Sequence, residues 1–291
     1  MALEKEGGMC DAGLQSIVQY YDDTWIDYRS FWLNNENRAI HFGYEDHTTR
    51  SHSESLQNTN LILADIVKVE QSDRVLDAGC GIGGSSIWIA SKRGCAVTGI
   101  TPVQTQVDLA RSAVREQNLN HLVTIQKGDY TATCLEDQSF DVIWALESLC
   151  HAGSKAAFYR EASRLLRPKG RLIIAEYVRT RRPLLPADER LAREWLSGWA
   201  IPDIDTKEEH IANAAAAGFE DIEIRDVTAR MRKSLRRLYM LSLAGISIGH
   251  ILRWLNLRND VLHGNLIGSN RQYQALRKGL WFYAFIHAIK G

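Results

Sequence analysis

The chain is poor in cysteine and has no excess of charge of either sign. Its 291 residues include only five cysteines, which form no Cys-x-x-Cys pair, so neither a disulfide-bonded scaffold nor a structural zinc site is expected. Thirty-five basic residues balance thirty-five acidic residues, which argues against binding to nucleic acid through net charge. The scattered cysteines indicate a reducing compartment, and we expect a cytoplasmic location.

Long hydrophobic runs are also missing. The most apolar stretch, residues 238–252, is shorter than the ~20 residues that cross a bilayer, and Arg253 follows it. The first eight residues carry acidic side chains and no apolar run, unlike a secretory signal. A transmembrane segment is therefore not expected, while peripheral association with a membrane stays open.

Short apolar runs alternate with helical patterns from Asp73 onwards, which is typical of a parallel sheet covered by helices on both faces. The pattern predicts an α/β fold with a seven-stranded, mostly parallel sheet. A turn is predicted at residues 167–170, where proline and glycine would end a helix. The predicted strands cover residues 74–78, 96–100, 122–126, 140–145, 171–176, 219–227 and 280–290. The predicted helices include residues 53–69, 84–92, 104–117, 155–166 and 206–217.

This pattern divides the chain into four segments. Residues 1–70 are helical and rich in aromatic side chains, and residues 71–227 hold most of the sheet. Residues 228–279 form a mostly helical insertion before the last strand, at residues 280–291. Ligands of open α/β sheets bind outside the carboxyl ends of the strands, so the insertion is placed to cap a site there. The aromatic residues expected to form the core of the first segment are Trp25, Phe31 and Trp32.

The motif with the clearest chemistry is Val75-Leu-Asp-Ala-Gly79-Cys-Gly81-Ile-Gly83-Gly84, a predicted strand that leads into a glycine-rich turn and a helix. Glycines let the backbone approach a ligand closely, and the start of a helix offers free N–H groups. Dinucleotide sites use a similar loop, but Asp77 directly before the glycines would repel a pyrophosphate. An acid there suits a cationic ligand such as S-adenosylmethionine (SAM), which carries a sulfonium and an α-amino group.

The sequence resembles the class I SAM-dependent methyltransferases, and within them the tocopherol and sarcosine–dimethylglycine methyltransferases. The resemblance extends over nearly the whole chain and implies a Rossmann-like fold with a helical cap, SAM as cofactor and S-adenosylhomocysteine as product. The motifs that carry it, in chain order, are Tyr20-Tyr-Asp, His41-Phe-Gly-Tyr44, the glycine-rich loop, Gly99-Ile-Thr101, Gly128-Asp-Tyr130, Glu147-Ser-Leu-Cys-His151 and Leu165-Leu-Arg-Pro-Lys-Gly170.

The resemblance implies contacts to the methionine part of SAM. Gly79 and Gly81 would lie against it, with Asp77 behind them. His41 belongs to the amino-terminal segment, which closes over SAM in the related enzymes, and is expected to lie in the same pocket.

The ribose and adenine contacts follow from the same resemblance. Many class I enzymes hold the ribose with an acid at the end of the second strand, whereas this chain has Ile100 and Thr101 there. Thr101 and Gln106 are therefore the candidates for the ribose hydroxyls. Asp129 would accept a hydrogen bond from the adenine amino group, and Tyr130 would flank the ring.

Three residues are candidates for catalysis. Glu147, predicted at the end of a strand on the ligand edge, is the leading candidate for a base or for stabilising a cation. The other two are His151 and Tyr21. His151 could instead be a hydrogen-bonded histidine at the start of a helix, and Tyr21 could instead be an aromatic residue that only packs in the core. No metal site is predicted. Cys80 and Cys150 are expected to be buried small residues.

Two groups of basic residues have two interpretations. One is an ordinary solvated surface; the other is an anion site at the mouth of the pocket, for a diphosphate or beside anionic lipid headgroups. The first group comprises Arg225, Arg230, Arg232, Lys233, Arg236 and Arg237, and the second comprises Arg179, Arg181 and Arg182.

The predicted function is methyl transfer to a small lipophilic acceptor of secondary metabolism, with C-methylation of an isoprenoid (a prenyl diphosphate or a prenylated ring) favoured. The alternatives are N-methylation of a small amine or alkaloid and a non-catalytic SAM-binding protein. Mg²⁺ is expected only with a diphosphate substrate, nucleic acid is not expected as a partner, and homo-oligomerisation stays open. The apolar residues of the insertion that favour a lipophilic acceptor are Leu241, Leu243, Ile246, Ile248 and Ile251.

Overall fold

The computed structural model describes the backbone of residues 4–27, 38–254 and 260–291, and the side chains of residues 13–25, 38–246 and 260–291. The described strands are β1 (Arg74–Ala78), β2 (Ala96–Thr101), β3 (Val123–Lys127), β4 (Phe140–Leu146), β5 (Leu166–Arg179), β6 (Phe219–Asp226) and β7 (Trp281–Lys290). The described helices are α1 (Glu4–Asp27), α2 (His52–Ile66), α3 (Gly84–Arg93), α4 (Gln104–Glu116), α5 (Lys155–Leu165), α6 (Pro186–Gly198), α7 (Lys207–Ala216), α8 (Thr228–Trp254) and α9 (Asp260–Arg277).

The seven strands form one sheet in the order β3-β2-β1-β4-β5-β7-β6. Neighbouring strands from β3 to β5 are parallel, and β7 runs antiparallel between β5 and β6. The chain order reverses between β1 and β4, which creates a crevice at the carboxyl ends of these two strands. The predicted α/β class and the mostly parallel seven-stranded sheet are confirmed.

Both faces of the sheet are buried at its central strands, which explains why those strands appear as short apolar runs rather than as an alternation of polar and apolar residues. In β1, Val75 belongs to the apolar cluster on one face and Leu76 to the cluster on the other. Side chains of α8 and α9, among others, pack in the first cluster, and side chains of α5 and α7 pack in the second. These two faces are called the α8 face and the α5 face below.

Most predicted elements lie within two or three residues of the observed ones, but the predicted turn at residues 167–170 is wrong. Leu166 already pairs with Phe140, and regular pairing resumes at Arg171 opposite Val142. The residues between are an irregularity inside β5, with Lys169 at a φ of 62°. The strand starts early because Leu166 is fully buried against the sheet and keeps its backbone paired. Helix α6 was not predicted.

Helices α6 and α9 approach each other closely where both carry glycine. A Cβ added to Gly198 would lie 2.5 Å from the carbonyl oxygen of Gly264 and 3.0 Å from the Cα of Gly268. A Cβ added to Gly268 would lie 2.8 Å from the ring of Trp199. These glycines therefore allow the two helices to touch backbone to backbone.

We expect Gly198→Ala to lower the free energy of unfolding by about 1–3 kcal/mol, because the added methyl group must push the two backbones apart. The measurement is urea unfolding followed by circular dichroism. Gly264→Ala is the matched control, since its Cβ would meet nothing nearer than 3.9 Å. It should be neutral or stabilising by up to about 1 kcal/mol, because alanine is the better helix former. Equal stability of the two variants would contradict the close approach.

Candidate active site

A cavity of about 940 Å³ lies at the carboxyl edge of the sheet, between the ends of β1, β2 and β4 and the helices α1, α8 and α9. Its volume is near the top of the usual range for ligand pockets, so it has room for more than one small molecule. All predicted site residues line it, although they come from positions up to 130 residues apart. They are Tyr21, His41, Asp77, Gly79, Gly81, Thr101, Gln106, Asp129, Tyr130, Glu147 and His151.

The glycine-rich loop brings bare backbone to the cavity. The backbone N–H groups of Gly79 and Cys80 both donate to the carbonyl oxygen of Ile100, which turns the chain sharply after β1. Gly79 has a φ of 91°, and a Cβ there would lie 2.3 Å from the Cβ of Ser148. Gly81 also has a positive φ, and a Cβ there would meet only Ile40, at 3.7 Å. A side chain would therefore be strained at either position, and a ligand can approach the backbone instead.

Asp77 is a buried acid that faces this loop. It is 2% exposed, and its Oδ2 accepts a hydrogen bond from the Ser86 hydroxyl at 2.6 Å. Burial raises the pKa of Asp77 to about 6, against the opposing effect of hydrogen bonds from the Ser86 hydroxyl and backbone. The carboxyl borders the cavity, so a cationic group of a ligand can bind it there. The α-amino group of SAM fits this requirement.

A further polar residue, His41, lines the same cavity. His41 donates from Nδ1 to the carbonyl oxygen of Phe42 at 2.9 Å, so its Nε2 is an acceptor. Nε2 is buried and has no hydrogen-bond partner among the described residues. Burial lowers the pKa of His41 to about 4, which keeps the ring neutral near pH 7. A buried acceptor without a partner among the described residues, in the same cavity as the Asp77 carboxyl, indicates a ligand with N–H or O–H donors, as SAM has.

The predicted ribose and adenine residues lie along the ends of β2 and β3. The Thr101 hydroxyl donates to Oε1 of Gln106 at 2.6 Å, which fixes both side chains and leaves the Gln106 amide N–H groups pointing to no acceptor among the described residues. Asp129 accepts hydrogen bonds from the backbone and hydroxyl of Thr131. Tyr130 is buried, and its hydroxyl donates to the carbonyl oxygen of Ser148 at 2.7 Å. The roles of these residues in binding SAM stay predictions.

Glu147 receives three hydrogen bonds from three different parts of the chain. Its Oε1 accepts from the backbone N–H of Phe42 at 2.7 Å and from the Tyr283 hydroxyl at 2.6 Å, and its Oε2 accepts from the Tyr177 hydroxyl at 2.6 Å. The residue is half-buried and borders the cavity. Desolvation of its carboxyl raises the pKa to about 7, although the three donors act in the opposite direction.

Tyr177 and Tyr283 were missed in the sequence analysis. They lie directly opposite each other in the antiparallel pair of β5 and β7. Tyr177 follows Glu176 at the carboxyl end of β5, where a polar aromatic residue beside the ligand edge was the available signal. Nothing in the sequence pairs Tyr283 with Tyr177, because that contact depends on the register of β7.

His151 and Tyr21 form a hydrogen-bonded pair at the cavity. Their Nε2 and hydroxyl oxygen are 3.1 Å apart, and His151 Nδ1 lies 3.4 Å from the carbonyl oxygen of Ala200. A carbonyl oxygen can only accept, so Nδ1 carries the proton and Nε2 accepts from the Tyr21 hydroxyl. Burial lowers the pKa of His151 to about 4, so the ring is a neutral acceptor near pH 7. Substrate contact by this pair stays a prediction.

The buried side chains of Glu176 and Lys155 hold the segment that carries Glu147 and His151 through hydrogen bonds to its backbone. The carboxyl of Glu176 accepts from the backbone N–H groups of Cys150 and Tyr177. Nζ of Lys155 donates to the carbonyl oxygens of Cys150, Ala152 and Asp203. Cys150 is buried, as predicted, as is Cys80.

The basic groups do not build a diphosphate site at the mouth of this cavity, so that interpretation is wrong. Arg179 is buried in ion pairs with Glu189 and Asp203, and Arg182 pairs with Asp203 and Glu209. The basic residues from Arg225 to Arg237 are exposed, and like Arg181 they are not part of the lining. Among the described lining residues the only lysine or arginine is Arg38, which pairs with Glu116.

Of the apolar and aromatic residues that the sequence singles out, some line the cavity and others do not. Leu241 lines the cavity, but Leu243 is 42% exposed on the outside, because it lies on the opposite side of α8. Ile246 is half-buried and is not part of the lining, and Trp25 is half-buried. The predictions on Phe31, Trp32, Ile248 and Ile251 fall outside the described side chains.

The described residues show neither a metal-site arrangement nor a membrane-spanning helix. No group of histidine, cysteine and acidic side chains there has the arrangement of a metal site. No described helix combines the length and apolarity needed to pass through a bilayer.

Comparison with known proteins gives consistent results. The methyltransferase domain family matches residues 76–174. The chain is 32% identical over 233 residues to methyltransferase GfsG of Streptomyces halstedii, covering 78% of this chain and 81% of that protein. It is also 32% identical to the 27-O-demethylrifamycin SV methyltransferase of Amycolatopsis mediterranei, covering 67% and 71% of the two chains. Tocopherol O-methyltransferase of Arabidopsis thaliana is 30% identical, covering 62% and 53%.

Solved structures share the whole fold. The [4+2]-cyclase SpnF superposes with a TM-score of 0.77 at 25% identity, covering 94% of each chain. A geranyl diphosphate methyltransferase, solved with GPP and sinefungin, has a TM-score of 0.73 at 19% identity and covers 96% and 100% of the two chains.

The buried carboxyl of Asp77 gives a testable pH dependence for SAM binding. An ammonium group binds the ionised carboxyl, so the affinity should rise with pH up to about 6 and level off above it. Below that pH we expect a loss of about tenfold per unit, since a proton must be released first. Isothermal titration calorimetry measures this.

Two variants of this region test the assignment. Asp77→Asn should weaken binding and remove the pH dependence. Ser86→Ala removes a hydrogen bond that lowers the pKa of Asp77, so it should keep the dependence and shift its midpoint to higher pH. A pH-independent affinity in the unaltered protein would contradict a contact between Asp77 and the ammonium group.

Proposed function

The chain belongs to the class I SAM-dependent methyltransferases of the small-molecule type, and we propose that its acceptor is a small, uncharged, lipophilic molecule, with an isoprenoid as the leading class. The observation that carries this proposal is the wall of the cavity away from the glycine-rich loop, which is apolar and almost free of cations. We further propose that α1 closes over the SAM end of the cavity and that α8 and α9 cap the acceptor end.

The acceptor wall is built from elements on several sides. Apolar residues of α1, of the segment after α6, and of α8 and α9 meet there, with a few neutral polar groups such as Asn265 and Ser269 among them. Removing apolar surface from water contributes about 25 cal/mol per Å², so a hydrocarbon acceptor gains affinity across the whole wall. The apolar lining residues are Leu14, Ile17, Trp199, Ile201, Leu238, Leu241 and Leu266.

The charges of the cavity favour a prenylated ring or a neutral isoprenoid over a prenyl diphosphate. A diphosphate needs several cationic or N–H donors, or a metal ion, to replace its hydration. Arg38 is the single lysine or arginine in the described lining, and its guanidinium already pairs with Glu116. The two buried carboxyls, Asp77 and Glu147, would repel a polyanion when ionised.

Bound SAM supplies an electrophilic methyl group on a sulfonium, which is already an excellent leaving group. The contribution of the chain is therefore to hold the acceptor in line with that methyl group, to exclude water and to manage one proton. For a carbon acceptor, the alkene or ring carbon donates its electron pair to the methyl carbon and is left with a positive charge. The Glu147 carboxylate stabilises that charge and takes the proton that restores the double bond.

A second candidate is O-methylation, which the hydrogen bonding of His151 favours. An acceptor hydroxyl that displaces the Tyr21 hydroxyl would donate to the same Nε2 lone pair. His151 would then take the hydroxyl proton as the oxygen bonds to the methyl carbon. Two of the relatives are named for O-methylation, of tocopherol and of a rifamycin. N-methylation of a small amine rests on the Glu147 carboxylate alone and is the third outcome of the test below.

The first test is a mass-spectrometric screen with methyl-labelled SAM. The acceptors are a prenylated phenol, an isoprenoid alcohol, geranyl diphosphate and small tertiary and secondary amines, each with and without Mg²⁺. We expect one methyl group on the uncharged isoprenoids and at least about tenfold less on the diphosphate, since a tenfold difference needs only ~1.4 kcal/mol. Methylation of amines alone, or of the diphosphate alone, would contradict the proposal.

Variants then separate the two bases. With a carbon acceptor, Glu147→Gln should lower kcat by about 10²–10⁴-fold and His151→Gln far less; with a hydroxyl acceptor the order reverses. Both variants should still bind SAM in calorimetry. If neither substitution changes kcat, neither Glu147 nor His151 is the base that takes the proton.

The pH profile is a second readout for Glu147. Its carboxyl must be ionised to act, so kcat for a carbon acceptor should rise as the pH passes about 7. Tyr283→Phe removes a donor that lowers the pKa of Glu147, so the midpoint should move to higher pH. The control is Tyr159→Phe, which removes a buried hydroxyl on the α5 face and should leave the midpoint unchanged.

A further inference from the structure

The amino-terminal half of α8 concentrates positive charge in an otherwise neutral protein. Residues 229–237 contain five basic residues and no acid, whereas the whole chain carries equal numbers of basic and acidic residues. The five are Arg230, Arg232, Lys233, Arg236 and Arg237.

These cations lie on the outer side of the helix. Met231, Ser234 and Leu235 are almost completely buried against the sheet, which leaves all five basic side chains exposed. Lys233 pairs with Glu45 at 2.6 Å. In the described part of the chain, the four arginines of this segment have no acidic partner within salt-bridge distance. A band of cations without counter-charges on one helix face suits an anionic surface.

Exposed apolar side chains continue the same face of the helix. Met240 follows Arg236 by one turn and is 53% exposed, and Leu243 follows Met240 and is 42% exposed. Among the described residues, five large apolar side chains are more than a third exposed, and these two are the ones on α8. The outer face of α8 thus passes from a basic band to an apolar end, and these residues together are called the α8 surface below.

The inner side of the same helix turns borders the cavity. Leu238, Leu241 and Ser242 of α8 are lining residues, so one helix separates the acceptor end of the cavity from the α8 surface. A protein or nucleic acid with negative charge would match the basic band alone. A lipid surface matches the apolar end as well, since anionic headgroups attract the arginines while apolar side chains enter the acyl boundary.

We propose that the α8 surface docks on an anionic lipid bilayer, so that the acceptor end of the cavity lies next to the membrane. The docking is interfacial and requires no membrane-spanning segment. Each arginine near such a surface contributes about 1 kcal/mol, and partial burial of two apolar side chains adds to this. The proposal goes beyond methyl transfer and holds whatever atom of the acceptor is methylated.

The test is sedimentation of the purified full chain with phosphatidylcholine vesicles, with and without about one third phosphatidylglycerol. We expect binding to the anionic vesicles at about 0.1 M salt and its loss at about 1 M, where charges more than ~3 Å apart are screened. Absence of binding to anionic vesicles at low salt would overturn the proposal. SAM affinity, measured without lipid, shows separately whether the protein is folded and binds its cofactor.

Matched variants assign the binding to this surface. Arg232→Glu with Arg236→Glu should weaken binding to anionic vesicles by at least about thirtyfold, as the loss of two contributions of ~1 kcal/mol predicts. The double variant with Met240→Gln and Leu243→Gln should weaken binding to anionic vesicles less, and the binding that remains should depend more strongly on salt. Arg160→Glu with Lys207→Glu makes the same charge change on the α5 face and is the control.

None of these six residues lines the cavity, so SAM affinity should be unchanged in all three double variants. An equal loss of vesicle binding in the control and in the arginine double variant would overturn the proposal. The proposal would also be overturned if the protein bound a column of acidic protein or RNA but not anionic vesicles, and if the variant with Met240→Gln and Leu243→Gln still bound that column.

Discussion

The burial of the Glu147 carboxyl is the constraint on which the rest of the site depends. A carboxyl below the surface is costly unless its oxygens accept hydrogen bonds, and here the donors come from the segment before α2, from β5 and from β7. Meeting that cost brings together parts of the chain that are 30, 105 and 136 residues away from Glu147 in sequence. Glu147 itself has a φ of 50°, which a side chain tolerates only where its surroundings fix it.

The cavity has two chemically different ends that follow from the fold. At the sheet edge, backbone N–H groups, Asp77 and neutral His41 border the cavity and suit a ligand that carries positive charge and several donors. At the helices, apolar side chains and a few amides and hydroxyls suit a ligand that carries almost no charge. Glu147 and His151 line the same cavity, and under the proposed function they are the two acceptors for a proton released during methyl transfer.

The sequence allows the sheet to be predicted well, because apolar runs are encoded locally. Apolar runs and the glycine-rich loop predict β1 to β4 almost to the residue, and Thr101 and Asp129, which the family resemblance singles out, line the cavity together with Asp77. The partners of Glu147 could not be predicted, since Tyr283 reaches it only through the antiparallel register of β7. The apparent anion site failed for the same reason: acids at 189, 203 and 209 neutralise Arg179 and Arg182 across the fold.

The glycine contact between α6 and α9 also bears on how the enzyme's acceptor range can diverge. Trp199 directly follows Gly198, and Asn265 and Ser269 directly follow Gly264 and Gly268, so the contact sets the distance between two walls of the acceptor pocket. A larger residue at the contact would move a whole helix rather than alter one side chain. A substitution at these glycines would thus change the width of the cavity through positions that do not line it.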